Sequence, residues 1–279
     1  MYEIIFLAIL GIIWIFFAVV QDLRTREIAN WLNFSLIIFA LGFRFFYSLF
    51  NMDFGFFYQG VYGLGILFII GNLFYYGRIF AGGDAKLMIA LGAVLPFKES
   101  FYENLNFLLI FLAIFLFVGA IYSLITSLWF SFKNFKSFKK EFRKQLIKLK
   151  KYYLLGLSIA IILAFLGFVV EIFLGLGILV FVFLNLYIYA KAVDESSMVR
   201  NIKTRKLTEG DWLYKNTRVG RKTIKASWEG LNKSDIELLK KKYKEIKIRY
   251  GIPFSPVFLI SFLILIWFFW NGELRNPFW

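Results

Sequence analysis

Eight apolar runs dominate this sequence: 4–20, 31–50, 58–76, 85–96, 106–130, 153–170, 172–190 and 253–271. Most approach the roughly 20 residues that a helix needs to cross a hydrocarbon core about 30 Å thick. Lipid offers no partner to a backbone N–H or C=O, so a spanning segment must satisfy its own, as a helix does. Of the 279 residues, 60% are apolar, against about 45–50% in soluble domains. The expected fold is an all-α polytopic membrane protein with about eight transmembrane segments and a small α+β cytosolic domain. The fourth run is short, reaching about 18 Å at about 1.5 Å per residue.

The placement of charge orients these segments. With the amino terminus outside and eight alternating crossings, the inner connections are 21–30, 77–84, 131–152 and 191–252. Counting Lys86 at the edge of the second, they hold 30 of the 33 Lys and Arg. Lys98 and Arg275 fall outside, and Arg44 lies within the second run. Positive charge retained in cytoplasmic loops predicts both termini outside. The net charge of +15 therefore sits beside the bilayer, and no nucleic-acid partner is expected. The run from Lys133 to Lys151 reads as an anchor on anionic headgroups. The first apolar run lacks a basic start, with only Glu3 before it, and is not read as a cleaved signal.

This divides the chain into a membrane core at 1–130, a basic cytosolic loop at 131–152, a membrane hairpin at 153–190, a cytosolic domain at 191–252 and a carboxy-terminal segment at 253–279. Within the cytosolic domain, Thr217–Val219 and Lys222–Ala226 flank Gly220-Arg221 and predict a β-hairpin. Ser234 and Glu237 fit a capping box. The stripe Ile236, Leu239, Tyr243, Ile246 and Tyr250 predicts a helix that stops near Gly251 and Pro253. Asp211, after Gly210, reads as a turn residue.

The sequence has no cysteine and no histidine. That removes disulfides, thiolate metal sites and every nucleophile that depends on an imidazole. No metal or other cofactor is expected, and proton transfer is left to Asp, Glu, Lys and Tyr. Two aspartates stand at the cytosolic ends of apolar runs. Asp22 directly follows the first, and Asp84, behind Gly82 and Gly83, opens the fourth. Asp22 also reads as a loop charge paired with Arg24 or Arg26. Asp84 also reads as a helix N-cap. An ionisable group at a membrane edge nevertheless points to function. A second carboxylate nearby would make the two titrate as one unit, as in aspartic proteases. One would take a proton from water while the other gives one to the carbonyl oxygen or leaving amine. Gly82 and Gly83 would let a substrate backbone approach closely.

The stretch Ala81-Gly82-Gly83-Asp84-Ala85-Lys86-Leu87 resembles the G-x-G-D-x-K-[LF] motif of type IV prepilin peptidases, including their archaeal preflagellin branch. Asp22-Leu23-Arg24-Thr25-Arg26-Glu27-Ile28-Ala29-Asn30 is similar to that family's D-x-[RK]-x-x-x-I-P-N. Ala81 replaces a glycine and Ala29 a proline. The resemblance covers about residues 1–130. It implies a membrane aspartic endopeptidase of the plasma membrane, with Asp22 and Asp84 catalytic at the cytosolic face. Its partners would be the lipid bilayer and prepilin-like or preflagellin precursors, cut between a short basic leader and a hydrophobic helix. Asn30 keeps its place in the first motif and, with Gly82 and Gly83, is expected to bind substrate. Lys86, turned away from Asp84 on a helix, reads as an interface anchor or a contact to a substrate carboxylate. Two other classes stay open: a proton- or cation-coupled transporter using the same carboxylates, and a structural subunit in which Asp84 only caps a helix. Oligomeric state is not legible.

Overall fold

The computed structural model describes residues 2–98, 100–220 and 222–272. Arg275, an outer cation in the charge count, and Arg221, in the expected hairpin turn, lie outside the described residues. The chain forms two compact units: the described residues of Met1–Ser123 with Pro253–Trp279, and Leu124–Ile252.

The first unit contains α1 (Tyr2–Thr25), α2 (Asn30–Asn51), α3 (Gly55–Tyr76), α4 (Gly82–Val94) and the opening part of α5 (Phe101–Lys133). The last helix of the chain, Ser255–Trp270, also packs here, against α1. α4 is the centre. Its apolar residues do not favour one side, and Ala85, Leu87, Met88, Ala90, Leu91, Ala93 and Val94 are all buried, as expected for a helix enclosed on every face. α3 reaches α4 through small residues. A Cβ added to Gly92 would stand 2.4 Å from the Gly63 carbonyl oxygen, and one added to Gly71 would stand 3.0 Å from that of Ala85. Such backbone approach is how helices associate where no hydrophobic effect drives them together.

α4 ends before Pro96, and its last carbonyls meet a side chain. Arg44 of α2 is completely buried. Its guanidinium donates to the carbonyls of Ala93 (2.9 Å), Val94 (3.1 Å), Pro96 and Phe56 (2.9 Å), and it lies 4.3 Å from the Phe56 ring centroid. The cation thus satisfies carbonyls that the helix cannot pair internally and complements the negative end of its dipole.

In the second unit, α6 (Phe135–Lys148) is followed by α7 (Lys150–Leu166) at a 79° bend. α7 and α8 (Glu171–Val193) form an antiparallel hairpin. Gly177 fits against Ala160 and Ala164, and Gly156 against Leu184. α6 turns Phe138 onto Tyr189 of α8, with ring centroids 5.6 Å apart. Its lysines at 136, 139, 140, 144 and 148 are exposed.

The remainder of this unit is a small α+β region. β1 (Val199–Lys203), β2 (Trp212–Leu213) and β5 (Glu245–Arg249) form an antiparallel sheet in the order β1-β5-β2. β3 (Thr217–Val219) and β4 (Lys222–Ile224) form the expected hairpin, with Val219 opposite Lys222. α9 (Lys233–Lys242) closes a core of Leu213, Ile224, Leu231, Ile236, Leu239 and Ile248. Two local expectations are corrected. Asn232, not Ser234, caps α9, its side chain accepting from the Asp235 N–H at 2.8 Å. The helix also stops at Lys242, and Glu245–Arg249 is a strand. There Ile246 and Ile248 alternate with Glu245, Lys247 and Arg249, a period of two that the helical reading of the stripe passed over. Asp211 accepts from the Thr208 N–H at 2.8 Å, closing a turn.

All eight apolar runs lie mainly in helices. Five helices among the described residues (α1, α2, α3, α5 and α8) are long and apolar enough to cross a membrane, or six if α6 and α7 form one bent span. α4, with 13 residues, and the carboxy-terminal helix α10 (Ser255–Trp270), with 16, fall short. By length and composition alone the structure supports five or six spans, and the expected count of about eight is not confirmed. Outward-facing Ile38, Phe68, Ile69, Leu73 and Phe117 are each more than half exposed, a surface suited to lipid. The chain is a multi-pass membrane protein.

Candidate active site

Asp22 lies in the last turn of α1 and is buried at 7% exposure. Just beyond it the helix is closed by Arg26, in the left-handed conformation at φ 61°, whose N–H bonds the Asp22 carbonyl at 2.8 Å. The chain then runs extended through Ala29 and enters α2 at Asn30. Ala29 has φ −63° and ψ 136°, the φ that a proline ring would impose. Unlike proline, Ala29 has an N–H, which donates to Gln21 Oε1 at 3.0 Å. The side chain of Gln21 thereby braces the segment that the family pattern stiffens with a ring.

Asp84 is the third residue of α4. It is not the N-cap: that position is Ala81, extended at φ −71° and ψ 162°, with no side-chain cap bond. The Asp84 carboxylate instead reaches back to the Ala81 N–H, as an acid at this position does in a capping box. Ala81 has a conformation open to any residue, so the glycine of the family pattern is not required here.

Two contacts bring the two motifs together and set Asp22 near enough for its charge to act on Asp84. Ile28 packs on Gly83, where an added Cβ would stand 3.3 Å from the Ile28 Cβ. Lys86 Nζ donates to Asn30 Oδ1 at 2.7 Å. Lys86 and Asn30, expected to serve a substrate, are thus engaged with each other and tie α4 to α2. The two glycines differ as well. Gly83 is filled by Ile28, whereas a Cβ at Gly82 would meet only the Tyr75 ring, at 3.8 Å. Gly82 is the one that leaves room beside Asp84. Arg24 and Arg26, candidate partners of Asp22, are exposed, while Asp22 is directed inward.

The sequence reading missed four contributors. Arg44 fixes the far end of α4. Gln21 braces Ala29. The Ser255 N–H donates to Asp22 Oδ2 at 3.1 Å, and the Tyr122 hydroxyl donates to the Pro253 carbonyl at 3.0 Å while feeling the Asp22 charge. A lone arginine inside the second apolar run was the visible signal for the first. A backbone N–H has none.

Two carboxylates beside an open glycine, at the ends of enclosed helices, can hold a water molecule and move protons in both directions. Comparison with known proteins points the same way. Residues 9–124 match the type IV leader peptidase family. The preflagellin peptidase of Methanococcus maripaludis (strain C6 / ATCC BAA-1332) is 34% identical over 102 residues, 36% of this chain and 44% of that protein. The preflagellin peptidase of Methanocaldococcus jannaschii is 32% identical over 88 residues, 32% of this chain and 37% of that protein. The chain thus spans less than half the length of these curated relatives. No solved structure gives a significant match. Residues 9–124, which carry both aspartates and every contact that joins their motifs, are similar to the type IV leader peptidase family.

Proposed function

We propose that this protein is a membrane-embedded aspartic endopeptidase that removes the leader peptide from preflagellin or type IV prepilin-like precursors. The observation that carries this reading is the convergence of the Asp22 and Asp84 motifs, joined by Lys86–Asn30 and Ile28–Gly83, with the charge of Asp22 acting on Asp84. One carboxylate, ionised, takes a proton from a water held between the pair. The water oxygen attacks the scissile carbonyl carbon while the protonated carboxyl gives its proton to the carbonyl oxygen. Collapse of this gem-diol breaks the C–N bond: the carboxyl that took the water proton gives it to the departing amine, and the other carboxylate takes a proton back from a diol hydroxyl as the C=O re-forms, which restores the pair. Positioned proton transfer of this kind is worth about 10²–10⁴-fold in rate. A substrate backbone enters beside Gly82.

We place this site at the cytosolic face of the plasma membrane, with both chain termini outside. The asymmetry of Lys and Arg supports that orientation. The catalytic core comprises residues 1–130 joined by the carboxy-terminal helix. The basic helix α6 anchors on anionic headgroups rather than drawing in a leader that is itself basic.

The test is co-expression with a preflagellin-type precursor and a gel-shift readout of leader removal. Wild type removes the leader. Asp22→Asn and Asp84→Asn each abolish removal while still inserting into the membrane. Full cleavage by either variant refutes the assignment.

A further inference from the structure

We infer that the amino-terminal end of α10 is a working part of the catalytic centre, and that Tyr122 is the positioning residue that holds it there. The inference rests on the proteolytic reading of Asp22 and Asp84. α10 lies beyond residues 9–124, the part of the chain that matches the family, yet it supplies the hydrogen bond that orients Asp22. Ser255 is the first residue of the helix. Its N–H is one of the donors that a helix cannot pair internally, and Asp22 Oδ2 is its acceptor, in a buried bond of 3.1 Å. The donor belongs to the backbone alone: the Ser255 hydroxyl is buried and has no hydrogen-bond partner among the described residues.

The segment 253–255 is in turn set by α5. The Tyr122 hydroxyl bonds the Pro253 carbonyl at 3.0 Å. Phe254 is ringed by Tyr122, Phe115 and Phe80, with centroids 6.4, 5.7 and 6.1 Å away. One turn before Tyr122, Gly119 lies so close that an added Cβ would stand 2.9 Å from the Phe254 Cζ. α5 therefore dictates where the start of α10 sits, and the start of α10 dictates how Asp22 is turned. Oδ2 is fastened, which leaves Oδ1 to face the water and Asp84. Without the Ser255 N–H, rotation about the side-chain torsions of Asp22 would let that oxygen leave its line with Asp84.

The experiment uses the full chain in proteoliposomes with a preflagellin-type precursor at varied concentration. Tyr122→Phe removes one hydroxyl and keeps the ring. Its kcat is expected to fall at least about tenfold, since a misplacement of about 1 Å can cost about 10²-fold, with KM within twofold of wild type. Gly119→Ala acts on the same contact from the other side, by steric pressure on Phe254. Alanine is the better helix former, so this variant carries the test if Tyr122→Phe does not fold. It too is expected to lose kcat at constant KM. Wild-type kcat in both variants overturns the inference and leaves the proteolytic reading in place. A raised KM with unchanged kcat also overturns it, because Tyr122 would then contact substrate. A wild-type chain that does not cleave overturns the proteolytic reading, and the inference falls with it.

Discussion

Replacing Arg44 with methionine tests the anchoring of α4 and, through it, the chemistry at its other end. The guanidinium makes four hydrogen bonds to carbonyls of Phe56, Ala93, Val94 and Pro96. Ala93 and Val94 are themselves completely buried, so water cannot take over. Each carbonyl left without a donor costs about 1–3 kcal/mol. Against this, methionine carries no charge that must be desolvated and fills much of the same volume. The orphaned carbonyls outweigh that relief, and a net loss of about 3 kcal/mol is expected for Arg44→Met. In a chain of this size the midpoint of thermal unfolding in detergent should fall by about 10 °C. Arg44→Lys keeps the charge but loses the planar fork, and should recover only part of that loss. Asp84 is ten residues up the same helix, about 15 Å away, so leader cleavage should weaken along with stability. A midpoint for Arg44→Met within about 2 °C of wild type, less than about 1 kcal/mol, would refute the claim that this side chain terminates α4.

Three further predictions concern residues around the aspartates. Gly82→Ala meets only Tyr75 and gains about 0.5–1 kcal/mol of helix stability. It should therefore raise the unfolding midpoint while raising KM for the precursor, and an unchanged KM would show that substrate does not pass over this residue. Gly83→Ala presses on Ile28 and should lower kcat instead, measured in the same cleavage assay. Ala29→Pro removes the N–H that bonds Gln21, worth about 1 kcal/mol, but preserves φ and gains about 0.4–1 kcal/mol by restricting the unfolded chain. Its unfolding midpoint should stay within a few degrees of wild type, and a large fall would show that the Ile28 backbone cannot precede a proline.

Much of this protein is legible one helical turn at a time. Each apolar run became a helix because a stretch without polar side chains in lipid must bond its own backbone. The hairpin around Gly220 followed from residue types next to one another. Asp22 and Asp84 stood out because a charge at the end of an apolar run is costly wherever that run packs. Reading failed where two local patterns overlapped. Tyr243, Ile246 and Tyr250 continue a helical stripe, but Ile246 and Ile248 also alternate as a strand, and pairing with β1 and β2 decided between them. Length alone does not say whether α4 and α10 cross, because both carry apolar residues buried in protein.

What the tertiary structure alone decided is how the parts meet. Nothing local to Lys86 or Asn30 says that they bond each other. Nothing near Gly83 says that Ile28 fills the space above it while Gly82 stays open. The Ser255 N–H reaches Asp22 across 233 residues, and a backbone donor has no side chain by which a sequence could announce it. The amino acids near each aspartate determine that it sits at a helix end beside the membrane. Only packing, through α4 held by Arg44 at one end and joined to α1 and α2 at the other, makes two such residues a pair.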